Sequence, residues 1–315
     1  MGVKMEVKMD NTKRKPWKLP EGFAIGGVLV AVGFLIQWGL GAVDWNVFSW
    51  PVNIIVLAVF VLVIVVMHLL RKKVYLFRFI GHYQAAIPAL VYAVVLTIIM
   101  GLTRQEANGT WLNNMLSFWP FVLIYVYIAL ILGIIFLKRL RTMFNGQRSM
   151  FNGQRSMFND IPFLLNHFGL FLALTTATLG NADMQRVKMI AAIGEPEWRA
   201  LDSHGVVKEM PITIELQKFI METYDDGSPR RFASEIKVLT KTGKSIETVV
   251  DVNKPIEVDG WKIYQYGYDT QMGAQSEISI FELVRDPWLP AVYTGIYMML
   301  AGALCMFVKG GRKRV

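Results

Sequence analysis

Four histidines and one cysteine are where this sequence could hold a metal or a reactive nucleophile: His68, His82, His167, His204 and Cys305. A lone cysteine cannot close an internal disulfide. The chain also has no C-x-x-C for dithiol exchange and no C-x-x-C-H for covalent haem attachment. A cysteine-rich structural zinc site is excluded with them. Cys305 falls inside an apolar run and reads as a packing residue of a helix. Chemistry must therefore rest on histidine, polar groups, a borrowed cofactor or a partner chain.

The histidines differ in their neighbours. His82 follows a basic stretch and His204 lies in a polar one, and both read as ordinary solvated side chains. His68 closes an apolar run one turn before Arg71, a position that suits the headgroup boundary of a membrane. His167 is deeper. It stands beside Asn166 and six residues after Ile161, so about 9 Å into its run at ~1.5 Å per helical residue. An imidazole among apolar helices needs a hydrogen bond or a metal to offset its desolvation. The residues alone leave two readings open for it, an interhelical hydrogen bond and a ligand.

The elements that must position these side chains are six apolar runs, 23–43, 52–70, 83–102, 115–137, 161–180 and 289–308. Hydrophobic residues make up 54% of the chain and charged residues 18%, with a mean hydropathy of +0.39. A soluble domain carries about a quarter charged residues, so a water-soluble enzyme is excluded. Each run approaches the ~20 residues that cross a bilayer as helix, and none contains Asp, Glu, Lys or Arg. The first run is too long for a signal peptide and continues through Gln37 and Trp38 without a small-residue cleavage site.

Charge sets the direction. Outside segment 181–288, nineteen of twenty basic residues fall on one side of the membrane, Arg104 being the exception. By the positive-inside rule both termini are expected to be cytoplasmic and 181–288 extracytoplasmic. That segment carries −5 and the remainder +14, which together give the +9 of the whole chain. The positive charge reads as topology signal and contact with anionic lipid, and nucleic-acid binding is rejected. Trp45, Trp50, Trp111, Trp119 and Trp288 lie near the outer ends of the runs, as an interfacial belt requires.

Segment 181–288 is patterned as β structure. Residues 212–216, 234–238 and 279–283 alternate in polarity, and turn clusters at Asp225–Pro229, Thr242–Lys244 and Asp259–Gly260 separate them. About six strands in an antiparallel sandwich or barrel are expected. Between the fourth and fifth runs, Phe-Asn-Gly-Gln-Arg-Ser-Met occurs twice in tandem over 144–157, read here as a duplication within a tolerant linker. Asp160 is expected to cap the fifth run, with Pro162 in its first turn.

The fold class is therefore a polytopic α-helical membrane protein of six transmembrane helices with an inserted extracytoplasmic, β-rich domain. Its parts are a basic tail (1–22), an N-terminal transmembrane hairpin (23–70), spans three to five (83–180) with a cytoplasmic linker (138–160), the periplasmic domain (181–288), the last span (289–308) and a second basic tail (309–315).

Particular motifs go further. Asn166-His167-Phe168-Gly169-Leu170, Thr178-Leu179-Gly180, Val252-Asn253-Lys254-Pro255, Gly260-Trp261-Lys262-Ile263-Tyr264-Gln265 and Leu283-Val284-Arg285-Asp286-Pro287 resemble the ResB (CcsB) family of System II cytochrome c biogenesis proteins. The resemblance covers roughly 83–308 and is strongest over 161–308, with 23–70 as an additional hairpin. It implies a bacterial inner-membrane subunit of a cytochrome c synthetase that helps carry haem b, bound in transit, to apocytochrome c clients. It also implies a CcsA-like partner, whose tryptophan-rich motif is absent here, and makes His167 an axial ligand of the haem iron. The propionates would then lie near Lys138, Arg139 and Arg141. The chain alone is not expected to be catalytic. A membrane scaffold without a cofactor is the competing reading, and a secondary transporter is disfavoured by the lack of charged residues within the runs.

Overall fold

The computed structural model describes residues 16–106, 109, 111–147, 160–203 and 205–312. The basic tail up to residue 15, His204 and most of the tandem, 148–159, lie outside the described residues. Seven helices are described: α1 (Leu19–Leu40), α2 (Val52–Leu70), α3 (Tyr75–Ile80), α4 (Tyr83–Leu102), α5 (Trp119–Gln147), α6 (Ile161–Gly180) and α7 (Leu289–Arg312). All but the short α3 are long and apolar enough to cross a membrane. The protein is a multi-pass helical membrane protein with a β-rich unit inserted between α6 and α7.

Three helices have boundaries that differ from the sequence expectation. Helix α1 starts at Leu19 because Pro20 suits a first turn and the Glu21 carboxylate accepts the Lys18 N–H at 2.7 Å. Glu21 therefore lies within the helix. It ends at Leu40, where Gly41 (φ +77°) turns the chain and returns its N–H to the Gln37 carbonyl at 3.0 Å. Helix α5 begins at Trp119 rather than Met115, and continues through Lys138, Arg139 and Arg141, since no helix breaker intervenes before Asn145-Gly146. Helix α7 likewise runs on to Arg312. Cys305 is exposed on α7 rather than packed as expected from the sequence.

Two compact units are present, one holding the helices up to Thr175 and from Ala291, the other spanning Thr176–Pro290. In the helical unit α5 packs against α1, α2 and α4, and its Ile124 and Ile134 are fully buried. Small residues allow these approaches. A Cβ on Gly33 of α1 would lie 2.6 Å from the Pro120 backbone, and one on Gly133 of α5 would lie 2.7 Å from Ile64 Cδ1 of α2. The indoles of Trp45 and Trp119 donate to the Leu116 and Gly41 carbonyls, at 3.3 and 3.0 Å, and so tie together the connections at one end of these helices.

The second unit is a single antiparallel sheet of eight strands rather than about six: β1 (Gln185–Ala192), β2 (Pro196–Asp202), β3 (Val207–Thr223), β4 (Pro229–Thr240), β5 (Ser245–Asp251), β6 (Ile256–Val258), β7 (Trp261–Tyr268) and β8 (Ile278–Arg285), in the order β5-β4-β3-β2-β1-β8-β7-β6. The alternating segments predicted from sequence fall in β3, β4 and β8. Asp259 (φ +51°) and Gly260 (φ +77°) form a two-residue hairpin, with Val258 opposite Trp261. The sheet curls on itself. Ser234 on β4 and Ser279 on β8 are not on neighbouring strands, yet their fully buried hydroxyls meet at 2.7 Å. The core so closed contains Met189, Ile214, Leu216, Ile236, Ile263, Phe281 and Leu283, all fully buried.

Candidate functional site

Helix α6 begins at the residue after Asp160, whose backbone carbonyl accepts the Leu164 N–H at 3.0 Å. The Asp160 carboxylate stands at the cap position expected from the sequence. It is buried and paired with the Arg139 guanidinium of α5. A carboxylate at a helix N-terminus is favoured by the helix dipole, and the arginine completes its solvation away from water.

One face of α6 then builds a column. Arg139 sits over the Phe163 ring, 5.3 Å from its centroid, and Phe163 stacks on the His167 ring at 3.8 Å and 23°. Residues 160, 163 and 167 recur at the three- and four-residue spacing that places side chains on one helix face. His167 Nδ1 lies 2.9 Å from the Phe163 carbonyl oxygen. A carbonyl can only accept, so Nδ1 donates and the neutral ring keeps its lone pair on Nε2. No hydrogen-bond partner is found for Nε2 among the described residues. The hydrogen bond is thus intrahelical, not interhelical, and it leaves a ligand-competent nitrogen in a fixed tautomer on a half-buried ring.

The rest of α6 is held on two sides. Phe168 stacks on Phe136 of α5 at 4.7 Å, and Phe171 on Phe60 of α2 at 6.3 Å. On the α7 side, a Cβ on Gly169 would lie 2.6 Å from the Gly295 carbonyl and one on Gly295 would lie 2.6 Å from the Gly169 carbonyl, so the two backbones touch. Asn166 faces the same helix, with Nδ2 3.7 Å from Met306 Sδ.

The other histidines are placed differently. His68 is buried, and Arg71 Nη1 lies 3.0 and 3.2 Å from its two ring nitrogens, so its lone pair is engaged beside a cation. His82 is not simply solvated. It lies at the start of α4 against Tyr83 (4.4 Å), with Nδ1 enclosed and unpaired among the described residues. No group of three or more His, Cys, Asp or Glu side chains that could hold a metal occurs among the described residues.

The three basic residues expected to form one patch are split. Lys138 donates to the Gly81 carbonyl at 3.1 Å, Arg139 is paired with Asp160, and Arg141 lies about 200° around α5 from Arg139. The Arg139–Asp160 pair and the role of the Phe163 carbonyl had no signal in the sequence, because both depend on side-chain direction. In the β-rich unit, Asp251 accepts from Arg231 at 2.9 Å while Arg231 also donates to Glu222 at 2.8 Å. Glu222 first and Asp251 second hold that guanidinium more firmly protonated than usual. These carboxylates are structural partners of an arginine.

Comparison with known proteins bears on residues on both sides of this site. Residues 135–280 match the ResB-like family, a range that includes His167 and β1–β7 and is narrower at both ends than the motif resemblance. Cytochrome c biogenesis protein CcsB of Prochlorococcus marinus (strain NATL1A) is 29% identical over 102 residues, 32% of this chain and 23% of that protein. The CcsB of P. marinus subsp. pastoris (strain CCMP1986 / NIES-2087 / MED4) is 29% identical over 103 residues, with the same coverage. The matched stretch thus spans under a quarter of the length of these curated relatives. Among solved structures, the cytochrome c heme lyase CcmF aligns with 92% of this chain and 46% of its own at 14% identity and a TM-score of 0.35, a likeness too low to carry an argument.

Proposed function

We propose that the chain, whose residues 135–280 match the ResB-like family, is a membrane subunit of a System II cytochrome c synthetase. It assists haem transfer across the bacterial inner membrane and its delivery for covalent attachment to apocytochrome c. The observation that carries this reading is His167, whose Nδ1–H is held by the Phe163 carbonyl so that Nε2 keeps its lone pair inside a membrane-length helix. A histidine axial ligand holds haem iron without fixing the porphyrin covalently, as a cargo in transit requires. One histidine fills one axial position, so the second ligand comes from a CcsA-like partner. The β-rich unit serves in docking.

Haem absorbance of the purified full chain, with and without the partner, tests the reading. A Soret band that strengthens and sharpens when the CcsA-like protein is co-expressed is the expected result. A chain that never carries haem, alone or in complex, would be the cofactor-free scaffold.

The orientation belongs to the same proposal: both termini cytoplasmic and 181–288 extracytoplasmic, from the nineteen-to-one basic asymmetry. In a Cys305→Ser background, Ser203→Cys is expected to react with an impermeant maleimide in spheroplasts while Ser149→Cys does not. The reverse pattern inverts the protein.

A further inference from the structure

At the inner end of α2 and α5, on the side of the basic loops, two arginines have no acidic partner among the described residues. Arg71 follows the last residue of α2, and its Nη1 rests 3.0 Å from Nδ1 of the buried His68. Arg141 of α5 stands about two helical turns beyond Gly133, which packs on Ile64, itself about two turns before Arg71, and so it lies within electrostatic reach of His68 and Arg71. Neither arginine makes an ion pair or a hydrogen bond to a carboxylate among the described residues. The carboxylates described in the helical unit are all engaged elsewhere. Glu21 accepts from the Lys18 N–H, Asp44 from the Asn46 N–H, Glu106 pairs with Arg104 and Asp160 with Arg139. Lys72 and Lys73 beside them are exposed and add to the positive field.

Like charges held together at a membrane boundary call for an anion from outside the chain. A guanidinium has five N–H donors in a planar fork, and His68 engages one group of the Arg71 fork, leaving the others for a tetrahedral oxyanion. Arg71 ends α2, a helix of membrane length whose outward residues Leu62, Val66 and Leu69 are exposed, so this charge stands at the edge of the apolar layer. A ligand that joins a phosphate to acyl chains satisfies both surfaces at once, whereas free phosphate satisfies only the first. Basic pockets between membrane helices bind such headgroups.

We propose that Arg71 and Arg141, with His68 orienting Arg71, form a binding site for the phosphate of an anionic phospholipid. His68 and Arg71 belong to the N-terminal hairpin outside the ResB-like match, and Arg141, within it, faces away from the Arg139 side of α5, so the site does not rest on the haem reading.

Native mass spectrometry of the full chain, released from detergent after incubation with phosphatidylglycerol, phosphatidylcholine or inorganic phosphate, tests it. Phosphatidylglycerol should be retained in preference to phosphatidylcholine. Arg141→Gln, at an exposed position that leaves folding intact, should lower that retention about fivefold, and Arg71→Gln/Arg141→Gln about thirtyfold, at roughly 1 kcal/mol per arginine near a charged surface. The control Lys72→Gln/Lys73→Gln should retain most of the lipid. Equal retention of the two lipids, an Arg141→Gln variant that binds like wild type, or an equal loss in the lysine control would overturn the site. Displacement of phosphatidylglycerol by millimolar inorganic phosphate would overturn the lipid as its occupant.

Discussion

Replacing His167 with alanine is expected to leave a membrane-inserted protein that co-purifies with little or no haem and supports little cytochrome c maturation. The loss in haem affinity should exceed the ~10–100-fold that removal of even an outer-shell partner costs a metal site. Two features make the effect separable from misfolding. The His167 ring is half-buried, and its one hydrogen bond among the described residues is to the backbone of its own helix, so alanine breaks no hydrogen bond between helices. The seam of α6 with α7 runs instead through Gly169, Gly295 and Asn166, on other positions of the helix. Added imidazole should partly restore haem binding and maturation by filling the emptied axial position. His167→Gln should not restore them, since an amide can hydrogen-bond yet is a poor iron ligand. Full haem content and activity in the Gln variant would show that position 167 serves only through hydrogen bonding, and the ligand assignment would fall.

The β-rich unit should be most sensitive at Phe281. This ring is fully buried in β8, where Phe281 is paired with Met189 of β1 on one side and Gln265 of β7 on the other. Phe281→Ala removes its transfer free energy and leaves a cavity among fully buried neighbours, a loss of about 3–5 kcal/mol. For a unit of this size that corresponds to a fall in its melting temperature of roughly 12–20 °C. Limited proteolysis of the full chain over a temperature ramp would detect it as earlier cleavage within 181–288. A variant cleaved at the wild-type temperature would mean that Phe281 does not lie in the buried core described. With the unit loosened, haem should still bind at His167 while maturation falls, because docking rather than ligation is impaired.

Much of this protein was legible in one dimension. Charge-free runs of about twenty residues are a bulk property of composition, and the bilayer admits only structures that satisfy every backbone group internally, so helices follow from the runs themselves. Alternation of period two placed β3, β4 and β8, and Asp259-Gly260 marked a hairpin because both residues tolerate positive φ. His167 stood out for the same reason, as an imidazole where desolvation is costly. What folding decided was relative position. The pairing of β1 with β8 joins segments some ninety residues apart, and no local pattern encodes it. The sequence placed Lys138, Arg139 and Arg141 together. Because α5 continues as a helix through them, about 100° of turn per residue sends Arg139 to Asp160 of α6 and Arg141 toward α2. The tautomer of His167 was likewise beyond the sequence, for it depends on which carbonyl the ring meets. That carbonyl belongs to Phe163, one helical turn back, and the hydrogen bond exists only because the rotamer directs Nδ1 to it.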